Sequence, residues 1–137
     1  MANVKPATVL LAAAAIAFVA SWFAPVTVQD RGYAGWEAFR TILQVLWSPA
    51  QFGGRSHRLV TAIWISTALT NVVFIAAFIA VVTSWRTWIR GLKWAVLAAA
   101  ALDLYWYFGM DHLKIGYYLW VASFFVLFAA MARRSVS

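Results

Sequence analysis

One carboxylate in this chain sits where a carboxylate is expensive. Asp103 falls inside the apolar run from Trp94 to Gly109, and it is the only charged residue in the interior of any long apolar segment. An ionisable group at such a depth in a membrane pairs with polar neighbours or serves a function. Counting from the ends of the apolar runs, Asn71, Asp103 and Ser123 fall at a common depth on three successive helices. Tyr107 lies one helical turn beyond Asp103 on the same face and could supply a further donor. Two chemistries fit this set. A neutral Asp103 could clasp helices together through hydrogen bonds worth about 0.6 kcal/mol each. The neutral form is the favoured one there, because no basic residue shares that depth and desolvation penalises the charge. Alternatively, Asp103 binds and releases a proton or cation during transport. The clasp is the preferred expectation, since nothing else in the chain resembles a transport pathway.

A second polar group gathers at the ends of the apolar runs. His57 and Arg58 open the second run, and Asp111, His112 and Lys114 join the third to the fourth. Two imidazoles and a carboxylate are ligand types that zinc, copper or iron accept. The close ligand spacing of a metal motif is missing, however, and Arg58 and Lys114 would repel a cation. The expectation is an outer-face polar cluster with no metal and no cofactor. No phosphate-cradling glycine loop, H-E-x-x-H or G-x-S-x-G is present, and no nucleophile–base pair can be assembled, so catalysis is not expected.

Composition defines the elements that must position these groups. Of 137 residues, 65% are hydrophobic and 11% charged, against roughly 45–50% and about 25% in soluble domains. A fold this small cannot hide that much apolar surface from water. The expected class is therefore an all-α integral membrane protein forming a single membrane domain over 1–137. It would be a four-transmembrane-helix bundle with spans at about 7–24, 59–84, 94–110 and 115–132. The first run also fits a cleaved signal peptide, but no well-placed small-x-small site follows it. Retention is the expectation, with Ala13, Ala17 and Ser21 spaced for close helix approach. Between the first two spans, Tyr33, Trp36, Phe39, Leu43 and Trp47 recur at helical spacing, with Glu37, Arg40 and Gln44 opposite. That pattern over about 33–47 predicts a short amphipathic helix lying in the membrane interface.

Net charge is +7, but the basic residues flank apolar runs instead of forming one patch, which argues against nucleic acid as a partner. Lys5, the Arg86–Lys93 connection and Arg133-Arg134 share one side of a four-span topology. That places both termini in the cytoplasm, and the Ala-rich composition suggests a bacterial inner membrane. There is no cysteine, hence no disulfide or thiolate site. The tyrosines, with Trp22, Trp36, Trp47, Trp64, Trp106 and Trp120, map to the opposite, outer half as an aromatic belt. The expected role is non-catalytic: an accessory or partner-binding subunit among membrane lipids, meeting a membrane-protein partner or a second copy. A small oligomeric proton- or cation-coupled transporter using Asp103 is the alternative. A lipid- or quinone-binding protein using the aromatic half is a third.

Overall fold

The structure, a computed structural model, describes residues 6–26, 34–47, 55–109 and 113–136. Tyr33, Asp111 and His112 lie outside them, as do the side chains of His57 and Arg58. The described chain is helical: α1 Pro6–Phe23, α2 Gly35–Trp47, α3 Arg55–Val82, α4 Arg86–Asp103, α5 Tyr105–Gly109 and α6 Ile115–Val136. Among the described residues, three segments are long and apolar enough to cross a membrane: Pro6–Phe23, Ile65–Val82 and Ile115–Arg134. Helix α4 differs from the expected 94–110 span in two ways. It starts earlier, taking in the polar turns with Arg86, Arg90 and Lys93, and it stops at Asp103. Leu104 separates it from α5.

Helix α1 packs along α6, and α4 lies against both α3 and α6. The centre is aromatic. Phe18 of α1 stacks on Phe74 of α3 at a centroid distance of 4.0 Å. Phe124 of α6 meets both rings edge-on, at 6.5 Å from Phe18 and 5.1 Å from Phe74. Ring packing sets the buried face of α1 as Leu11, Ala14, Phe18 and Ser21. The anticipated small-residue stripe is therefore displaced: Ala13 is exposed, and only Ser21 of that stripe is buried.

Two ends of the molecule can be told apart. At the basic end, α3 finishes in a Schellman turn, with Trp85 N–H donating to Ala80 O (3.0 Å) and Ser84 N–H to Val81 O (3.2 Å). The Arg134 guanidinium of α6 donates to Val81 O at 2.6 Å, placing a cation where the helix dipole is negative. Ser84 carries this turn at φ 59°, a left-handed conformation that costs an L-residue about 1 kcal/mol relative to glycine. Ser84→Gly should therefore raise the thermal unfolding midpoint in detergent, by the equivalent of up to about 1 kcal/mol. An unchanged or lower midpoint would mean that the serine is not strained.

At the aromatic end the chain leaving α1 is clamped from two sides. Gly116 N–H donates to Pro25 O (2.9 Å) and Lys114 N–H to Val26 O (2.9 Å), while Pro25 forms an isolated antiparallel bridge with Ala34. Pro25 can accept but not donate, and its carbonyl satisfies one of the otherwise orphaned N–H groups at the start of α6. Gly35 and Gly116 make this possible. A Cβ on Gly35 would collide with the Ser21 carbonyl oxygen, and one on Gly116 would stand 2.7 Å from the carbonyl oxygens of both Ala24 and Pro25.

Candidate functional site

Asp103 closes α4, and its side chain is 0% exposed. Around it, the aromatic end supplies three strong donors, each aimed at a particular acceptor. Trp106 Nε1 donates to Thr67 Oγ1 at 2.8 Å. Trp120 Nε1 donates to Asn71 Oδ1 at 3.0 Å. The Tyr117 hydroxyl donates to the backbone carbonyl of Asp103 at 2.8 Å. Burying the polar atoms of Thr67 and Asn71 is tolerable because each has been given a partner. Indole and phenol groups thereby pin α5 and α6 to α3, and α6 to the end of α4.

The carboxyl group itself receives none of these bonds. Neither Asp103 oxygen has a hydrogen-bond partner among the described residues. The Thr70 hydroxyl lies beside it on α3, but its proton is spent on the Thr67 carbonyl oxygen at 2.6 Å. A hydroxyl so engaged still has lone pairs to offer. It can accept a hydrogen bond from a neutral carboxylic acid, but it cannot donate to a carboxylate without turning.

The residues expected around Asp103 divide as follows. Asn71 and Ser123 are both buried, yet both are committed to Trp120: Asn71 accepts from its indole, and Ser123 Oγ donates to its backbone carbonyl at 2.6 Å. Neither bonds the carboxyl, so the anticipated three-way clasp is replaced by one centred on Trp120. Tyr107 is 54% exposed and meets Phe108 edge-on. The interruption at Leu104 explains this. Tyr107 N–H bonds Leu104 O, an i−3 step, and that tighter turn takes position 107 off the face it would share with Asp103 on an unbroken helix. The phenol comes from Tyr117 instead. Of the outer-face cluster, Lys114 is half-buried and tied to Val26 through its backbone; the other members fall outside the described side chains.

No family model, curated protein or solved structure matches this chain.

Beside the clamp lies a cavity of about 80 Å³ lined by Ser21, Trp22, Phe39, Asn71, Tyr117 and Trp120, among others. It sits where α1, α2, α3 and α6 meet. Its wall is mostly apolar, with Ser21 and Asn71 as polar points. Small-molecule pockets occupy roughly 300–1,000 Å³, so this space suits a few waters better than a quinone ring. Tyr117 belongs to both sites: its ring lines the cavity, and its hydroxyl touches Asp103.

The amphipathic helix α2 packs against α1 and α3. Phe39 packs on Trp22 of α1 at 5.2 Å, and Ala34 N–H donates to Glu37 Oε2 at 2.8 Å, which caps the helix start. Trp36, Leu43 and Trp47 are left exposed, Trp47 at 88%. Helix α5, at the same end, exposes Tyr105, Tyr107 and Phe108, the last at 85%.

Proposed function

We propose that this chain is a four-span protein of a bacterial inner membrane with both termini cytoplasmic. In this reading it works without catalysis, as a subunit that docks on a larger membrane partner. The three apolar helices support membrane residence, and α4, packed between α3 and α6, supplies the fourth crossing. Its charges are compatible with that role, since Arg86, Arg90 and Lys93 occupy its first two turns and would sit in the cytoplasmic headgroups. The observation that carries the docking role is the aromatic end. At that end helices α2 and α5, each too short to cross a bilayer alone, leave Trp36, Trp47, Tyr107 and Phe108 uncovered. Rigid aromatic rings at an interface are the usual anchors of protein–protein contact.

The experiment is purification from the native membrane in mild detergent, with mass measured by native mass spectrometry. A stoichiometric hetero-complex is expected, and Trp36→Ser with Trp47→Ser should release the 15.3 kDa chain from it with its helicity intact. A homogeneous monomer from the unaltered chain would overturn the docking role.

A second reading is favoured by the unbonded carboxyl. In a small oligomeric transporter, Asp103 would load a proton or cation in each cycle. Flux in vesicles that survives Asp103→Asn would exclude it.

A further inference from the structure

We propose that Asp103 is a reversible proton-binding site, exchanging with water from the aromatic end through the cavity behind Tyr117. The placement of the groups supports this. The carboxyl is fully enclosed and has no hydrogen-bond partner among the described residues; of the groups beside it, Thr70 is on α3 and the titratable Tyr117 is on α6. A proton on the carboxyl removes a buried charge that no described donor or counter-ion meets in this arrangement. Thr70 Oγ1 donates to the Thr67 carbonyl and keeps lone pairs that can accept the acid's O–H.

Release balances with few moving parts. The Asp103 O–H bond breaks and the proton passes to water in the cavity. The carboxylate left behind then needs donors, and two are adjacent. Thr70 can rotate its hydroxyl from the Thr67 carbonyl to the carboxylate. Tyr117 can swing its hydroxyl from the Asp103 backbone carbonyl to the Asp103 side chain, 2.8 Å being the length of the bond it gives up. Both switches trade one hydrogen bond for a charge-assisted one. Tyr117 lines the cavity and Asp103 does not, so in this proposal the move of Tyr117 that stabilises the charge also opens the way to water. The 80 Å³ behind it exceeds the roughly 30 Å³ that one water occupies in the liquid. Ser21 and Asn71 are the lining side chains that offer such water a polar contact. The interruption at Leu104, directly after the acid, allows the end of α4 to adjust without disturbing the basic end.

This site does not depend on the docking role or on transport. Its test reads the proton itself: infrared difference spectra of the full chain in lipid bilayers, with carbon-13 in its aspartates. A protonated-carboxyl C=O band is expected at neutral pH, absent in Asp103→Asn and lost as the pH is raised. Thr70→Val, which removes the accepting oxygen but keeps the shape, should shift the band to higher frequency without abolishing it. In heavy water the band should exchange, and Val26→Phe, which fills the cavity from the α1 exit, should slow that exchange several-fold. Absence of the band in the unaltered chain at neutral and acid pH would overturn the proton site. A band with exchange unaffected by Val26→Phe would overturn the cavity route alone. Loss of vesicle flux or of a partner would move neither readout.

Discussion

Gly116→Val is expected to lower stability by about 2–3 kcal/mol, the upper range for forcing extra methyl groups into a packed site. The reason is what surrounds position 116. A new Cβ would stand 2.7 Å from two carbonyl oxygens, those of Ala24 and Pro25. Both are backbone atoms, so no rotamer change relieves the contact. The exit strand of α1 must move as a unit, and it is fastened at Pro25 and Val26 by the N–H groups of Gly116 and Lys114. Moving it breaks those bonds and reopens the start of α6. Gly116→Ala should already show much of the loss, because the first carbon makes the collision. Unfolding in a mixed-detergent titration measures it, with Gly91→Ala as the control, since nothing lies within 4 Å of a Cβ there. Equal effects at the two glycines would mean that the α1 exit does not dock on α6. Gly116 also lines the cavity, so the same variant should disturb proton exchange at Asp103 before the fold is lost.

The course of the chain was largely legible from apolar period and length. The pattern over 33–47 anticipated α2 at Gly35–Trp47, and the run at 115–132 anticipated most of α6. Long apolar stretches announce themselves because every residue in them contributes to the signal. The burial of Asn71, Asp103 and Ser123 followed from depth alone, which counting residues supplies. Which of them touch does not follow from depth, since it depends on how each helix is rotated about its axis. Two local facts set that rotation here. One is the i−3 step after Leu104, marked by no proline or glycine and hinted at only by the aromatic run Tyr105–Phe108, whose members are middling helix formers. The other is the stack of Phe18 on Phe74, which turns α1 so that a bulky face packs inward instead of the alanine stripe. Tyr117 escaped notice because its partner is a backbone carbonyl, an acceptor that every residue carries and no motif marks.

Phe18→Ala is expected to cost about 2 kcal/mol in a bilayer, less than the roughly 3–5 kcal/mol that the same truncation costs in a soluble core. The larger figure combines two terms, transfer of the ring from water and the cavity left behind. For helices that stay in hydrocarbon when they separate, the transfer term largely vanishes, because lipid tails receive the ring almost as well as the core does. What remains is lost packing: a ring stacked on Phe74 at 4.0 Å, edge-on to Phe124 at 6.5 Å and to Trp22 at 6.0 Å. A double-mutant cycle with Phe74→Leu isolates the ring–ring part, expected at about 0.5–1.5 kcal/mol. The total separates two pictures of α1. A loss near 2 kcal/mol is the signature of a helix already in lipid before it packs on α6. A loss at the full soluble value would mean that Phe18 comes from water, and α1 would then be an element that folds onto the others from outside the bilayer. The aromatic core is thus a gauge of the solvent in which this chain assembles.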